Sequence, residues 1–163
     1  MKRYLVAALL LAGCTGTTAP GRPTVTSAPP EQAAAVFFSP RAEFPVWEIE
    51  LAGRPWAVAV ADTPERRQAG LMGVEDLGDL DGMLFVFPES QSGSFWMKDT
   101  LMPLDIAFFE EGGDLVAVLE MEPCRADPCP SYGPGAPYRW ALEAPAGELA
   151  NLPPDAHLRL PEG

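Results

Sequence analysis

From residue 46 onward the chain alternates apolar and polar positions with a period of two, the pattern of strands that bury one face. In "VWEIELA" (46–52), Trp47, Ile49 and Leu51 share one face and Glu48 and Glu50 the other. Gly53 and Arg54 turn the chain into "PWAVAVAD" (55–62), so these two segments are predicted to form a hairpin. Thr63, Pro64 and Glu65 follow in the order of a helix start: a capping hydroxyl, a proline that needs no amide partner, and a carboxylate at the positive end of the dipole. The spacing predicts one short helix over 64–72, ended by Gly70 and Gly73. Acidic turns lead to "MLFVFP" (83–88), whose continuous apolar run implies burial on both faces. "SFWMKD" (94–99), "LDIAFFE" (104–110), "LVAVLEMEP" (115–123), "YRWALEAP" (138–145) and "AHLRLP" (156–161) supply further strands, and "EGGD" (111–114) joins two of them.

Many short strands, one short helix and frequent Gly/Pro turns predict an all-β fold, a compact sandwich or barrel-like single domain over 46–161. No β–α–β alternation stands out, which argues against a doubly wound sheet. No internal repeat at a solenoid period is present.

The pattern changes before residue 46. "MKRYLVAALLLAGC" has a basic start, an apolar run too short to span a bilayer as a mature helix, and small residues before Cys14. Residues 1–13 read as a lipoprotein signal peptide. Cys14 is then the acylated first residue of the mature chain. The stretch over 14–45 is rich in Thr, Pro and Ala and lacks a hydrophobic period, so it reads as a flexible tether. More than one acyl chain on Cys14 would anchor the domain stably to a membrane. The expected location is extracytoplasmic, at the cell membrane or an outer membrane.

Charge and cysteine content narrow the partners. The formal net charge is -12. Such a surface opposes nucleic acid and gives no electrostatic grip on anionic lipid. Of three cysteines, Cys14 is assigned to lipid, leaving Cys124 and Cys129 as a pair. Export favours a disulfide between them, although free thiols or a metal site are alternatives. A metal is poorly served, because His157 is the only histidine. Five methionines (Met72, Met83, Met97, Met102 and Met121) sit beside Leu and Phe and read as core. No cofactor is implied.

The candidate chemistry lies in "SFWMKDTLMPLDIAFF" (94–109), where Lys98, Asp99 and Asp105 interrupt an apolar and aromatic run. On an extended strand Phe95, Met97 and Asp99 point one way and Trp96, Lys98 and Thr100 the other. Pro103 breaks the ladder, so Asp105 can return toward Lys98, and a Lys98–Asp105 pair is the simplest geometry. Arg66 or Arg67 on the short helix competes for either aspartate. Three readings stay open: an ion pair that fixes strand register, a polar pocket lined by Trp96, Lys98, Thr100 and Asp105 that suits a sugar or other small polar ligand, and a catalytic site. The last needs a lysine of depressed pKa, against which neighbouring aspartates work.

"RRQAGLMGV", "GMLFVFP", "SFWMKDTLMPLDIAFF", "PCRADPCPSYG" and "WALEAPAG" follow one another in the order and rough spacing of the bacterial and archaeal domain-of-unknown-function family 192. The chain resembles that family over about 46–161. The resemblance implies a compact β-rich domain and brings no settled reaction. The family's usual block has Asn where this chain has Asp99, which adds a negative charge beside Lys98. The expectation is a membrane-anchored lipoprotein that binds a small polar ligand, a glycan or an envelope partner. The alternatives are an envelope hydrolase or transferase using Lys98 and Asp105, and an assembly factor with no small-molecule site.

Overall fold

The computed structural model describes residues 44–161. The expected signal peptide, Cys14 and nearly all of the expected tether therefore lie outside the described residues. The chain forms β1 (Val46–Leu51), β2 (Arg54–Ala61), α1 (Pro64–Ala69), β3 (Gly82–Gln91), β4 (Phe95–Trp96), β5 (Leu104–Phe109), β6 (Leu115–Met121), β7 (Ser131–Tyr132), β8 (Tyr138–Pro145) and β9 (Leu158–Arg159). Seven strands make one sheet in the order β6-β5-β8-β3-β2-β1-β9, and β4 pairs with β7 separately. The large sheet curls into a half-barrel, as the all-β expectation requires. Its ends meet at one edge, where Leu115 N–H donates to Ala156 O (3.1 Å) and Leu158 N–H to Gly113 O (2.8 Å).

β1 and β2 form the expected hairpin in full register, Val46 opposite Ala59 through Leu51 opposite Arg54. Its two turn residues are Ala52 and Gly53, both at positive φ (51° and 76°), the geometry that matches strand twist. β3 is central, flanked by β2 and β8, which explains its uninterrupted apolar start. Alternation along it sends Met83 and Phe85 to one face and Leu84 and Val86 to the other. β3 runs parallel to β2, so β2-α1-β3 is a single β–α–β crossover that the sequence pattern did not signal. A Cβ at Gly82 would meet the Glu143 carbonyl oxygen at 2.3 Å; only glycine lets β3 and β8 approach there.

Several predicted elements are shorter than expected, the strand over 156–161 among them, which is reduced to Leu158–Arg159. α1 ends at Ala69 because Gly70, at φ 49°, sends its N–H back to Arg66 O (2.9 Å) and turns the chain away. Leu71, Val74, Leu77 and Leu80 then cover one face of the sheet. The strand predicted over 94–99 is continuous only at Phe95 and Trp96, with Lys98 in an isolated parallel bridge to Cys124. Asp99 adopts φ 55°, and Thr100 N–H donates to Met97 O (3.2 Å), so 97–100 is a turn.

The sheet separates two apolar clusters. One contains Met83, Phe85, Ile106, Phe108, Leu71 and Met97. The other contains Ile49, Leu51, Trp56, Leu84, Phe109 and Leu142. Met83, Met97 and Met121 are buried core residues, as their setting predicted.

Candidate functional site

Strand parity decides where the predicted site residues go. On β5, Leu104, Ile106 and Phe108 face the first cluster, whereas Ala107 and Phe109 face the second. Asp105 shares the parity of Ala107 and so lies on the opposite side of the sheet from the 94–100 segment, whose Phe95 and Met97 pack on the first cluster. The predicted Lys98–Asp105 pair does not form. Asp105 is fully buried, and its Oδ2 accepts from Gly147 N (2.9 Å) and Leu149 N (3.0 Å). It fastens the turn after β8, while its Oδ1 has no partner.

Lys98 instead meets Asp127, Nζ to Oδ2, at 2.5 Å near the surface. The hydrogen bond that Lys98 donates to Asp127 raises the pKa of the ammonium above the usual lysine value, the reverse of what a lysine base requires. Asp127 belongs to the loop between Cys124 and Cys129, whose Cα atoms are 5.7 Å apart and whose sulfurs are bonded. This loop is stitched to the turn: Cys124 N–H donates to Met97 O (3.1 Å) and Asp99 N–H to Cys124 O (3.2 Å). Reducing the disulfide is expected to lower stability by about 2 kcal/mol through restored loop entropy, read by denaturant titration with and without reductant. K98A is expected to shift the midpoint less than reduction does, because the ion pair is exposed; a larger loss in K98A would contradict this.

Asp99 does not follow the predicted alternation either. At φ 55° it is exposed while Thr100 turns inward and is buried. Asn and Asp are the non-glycine residues that tolerate this left-handed backbone best, which explains why either suits the position. Asp99 lines a shallow depression with Glu75, Leu101 and Arg125. Arg66 pairs with Asp62 at 2.6 Å, so neither aspartate of the motif binds it.

Two of the predicted residues, Trp96 and Thr100, do share a cleft. Between α1 and β4 a groove of about 250 Å³ is lined by Arg67, Phe87, Gln91, Ser94, Phe95, Trp96 and Tyr138, among others. A deeper recess of about 40 Å³ shares Arg67, Gln68, Phe85, Phe95 and Trp96 with it and reaches Thr100 and Glu143. Trp96 is 59% exposed, an unusual state for so large an apolar side chain. Phe85 and Phe95 meet edge to face with centroids 4.9 Å apart. The Arg67 guanidinium lies 5.1 Å over the Phe87 ring. Its Nη1 donates to Asp62 O (2.7 Å) and Val86 O (2.8 Å), so it ties α1 to β3 through carbonyls and meets no carboxylate in the groove.

Glu143 is the residue the sequence reading missed. It sits mid-strand on β8, opposite Met83 on β3 and Ile106 on β5, and is 5% exposed. Among the described residues none donates to its carboxyl, and burial pushes its pKa up to about 8. A signal was available: "YRWALEAP" (138–145) carries a carboxylate at its centre, and such a strand flanked on both sides by others buries both faces. A buried carboxyl of raised pKa in a cleft is a functional-site marker.

No curated protein matches this chain. Among solved structures, a Sinorhizobium meliloti 1021 protein provisionally described as a transcription regulator matches with a TM-score of 0.63 at 26% identity, covering 72% of this chain and 95% of that one. A protein of unknown function from Novosphingobium aromaticivorans DSM 12444 also gives a TM-score of 0.63, at 24% identity, with 70% and 84% covered, a likeness of fold alone. The family model DUF192, described as Uncharacterized ACR, COG1430, matches residues 47–159. That span takes in every strand of the half-barrel and both ends of the cleft, and the chain belongs to this family.

Proposed function

We propose that the protein is an extracytoplasmic lipoprotein whose domain binds a small polar ligand, a glycan in the first instance, in the cleft between α1 and β4. The observation that carries this reading is the exposed Trp96 ring at the mouth of a groove that also presents Gln91, Ser94 and Arg67. An aromatic face beside a few polar groups suits a ring with one apolar face and a hydroxyl-rich edge. Among the described residues, Glu143 is the one carboxylate lining the groove or its recess. Glycosidase chemistry in its usual form uses two carboxylates, so the lining favours binding over hydrolysis. The regulator description of the Sinorhizobium protein, carried over, would ask for a basic surface, and the net charge of -12 works against it.

Screening a glycan array is expected to return ligands whose capture depends on Trp96. W96A is expected to weaken them about 30-fold or more, the effect of removing an aromatic anchor, with an unchanged melting temperature because the ring is exposed. Ligands held equally well by W96A would sink the reading. Anchoring is tested separately: C14S is expected to move the protein from the membrane fraction to the soluble one, and retention of the variant on membranes would refute lipidation at Cys14.

A further inference from the structure

The recess and the groove differ in size and chemistry, and the difference narrows the ligand. The recess, at about 40 Å³, holds one water-sized group. Glu143, 5% exposed, lines the recess; its carboxyl has no hydrogen-bond partner among the described residues, and Met83 and Ile106 flank it on the neighbouring strands. The walls of the recess include Phe85, Phe95 and Trp96. The Glu143 oxygens are not among the fully enclosed unpartnered atoms of the described residues, which are Trp56 Nε1 and Asp105 Oδ1, so a group that enters the recess can reach them. A carboxyl lined by aromatic side chains is complementary to a cation, whose charge favours the ionised carboxylate and so completes an ion pair.

From this geometry we infer that the cleft selects a ligand bearing a free primary amine, such as a de-N-acetylated amino sugar, with its ammonium in the recess against Glu143 and its ring on Trp96. This rests on the glycan-binding reading and specifies it. Arg67 is the other charged residue on the recess wall, but its Nη1 is engaged by two carbonyls and its plane lies over Phe87. It stands as a fixed wall rather than an anion receptor. The acidic chain, at -12, attracts cations and repels anions over the whole surface. An acetamide adds three heavy atoms to the nitrogen and exceeds the recess. A hydroxyl fits, but brings no positive charge to draw Glu143 into its ionised form.

Three β-1,4-linked trisaccharides separate the possibilities, because they differ only at the second carbon of each ring: glucosamine, N-acetylglucosamine and glucose. Calorimetry with the full chain near pH 6 is expected to show the glucosamine form binding at least ten-fold tighter than the other two. E143Q is expected to lose that preference while keeping the weak common affinity, and W96A to lose binding of all three. The folding of each variant is checked by its melting curve, and E143M serves where E143Q does not fold. Equal binding of the three sugars, or a preference that survives in E143Q and E143M, overturns the ammonium assignment while the glycan reading stands. Binding of none of them by the wild type, with an empty glycan array, overturns both.

Discussion

Replacing Glu143 with Gln is expected to remove most of the protein's loss of stability between about pH 4.5 and pH 8. Burial between Met83 and Ile106 raises the carboxyl from 4.5 to about 8. Below pH 4.5 the group is protonated in folded and unfolded chains alike, and its favourable neutral form is fully counted. Between the two values the unfolded chain has released the proton and the folded one has kept it, so stability falls as pH rises. Above 8 the folded state carries a buried charge without a partner. Integrated over that window, the loss is on the order of 4 kcal/mol, a large share of a typical domain's stability. Gln does not titrate, so E143Q should exceed wild type at pH 9 and approach or fall below it at pH 5. Met, which needs no hydrogen bond, should show the same trend with a higher baseline. Denaturant midpoints at pH 5, 7 and 9 measure this. If wild type and both variants change in parallel, Glu143 ionises normally and the recess is wetter than its burial implies.

D105A is expected to destabilise the domain by about 3 kcal/mol, because it strands two backbone donors at once. Gly147 N–H and Leu149 N–H both point at Oδ2, and Leu149 is a fully buried member of the second cluster. A loss of that size corresponds to a melting temperature lower by roughly 10 °C for a domain of this length. D105N keeps an oxygen for the two donors but places an amide where Oδ1 has no partner, so it should fall between wild type and D105A. Double-mutant analysis sharpens the point: D105A and K98A should be additive, since the residues sit on opposite sides of the sheet and share no partner. A D105A midpoint equal to wild type, or strong coupling to K98A, would restore the pair that the sequence spacing had favoured.

Much of the fold was legible because it depends on local periodicity. Trp47, Ile49 and Leu51 alternate with two glutamates, and the strand they define ends at the expected hairpin. The span 138–145 reads as a strand in sequence and is one in full. Thr63 and Pro64 place the start of α1 where the Thr63 hydroxyl accepts from Arg66 N (3.3 Å). The ends of elements were less legible, since a single left-handed residue, Gly70 or Asp99, stops an element that side-chain pattern would continue. The site was half legible. The polar and aromatic mixture over 94–109 drew attention to Trp96 and Thr100, which line the candidate cleft, whereas strand alternation and the Pro103 bend grouped Lys98 and Asp105 with them, placed Asp99 on the other face, and left Arg66 as a competing partner on the helix.

The chain by itself determined that this is a β-rich domain of one family, with strands, turns and a cysteine pair set by spacing that any local segment carries. Tertiary structure alone decided the site. Asp105 and Glu143 both sit on strands in the middle of the sheet, and the strand's two-residue period sends one under the turn after β8 and the other under the aromatic groove. Whether a carboxylate is a structural fastener or the floor of a cleft follows from which face it enters and what packs across from it. Those neighbours, Gly147 and Leu149 for one, Phe85, Trp96 and Thr100 for the other, come from segments 42 residues or more away in the chain. That is a distance no local pattern spans.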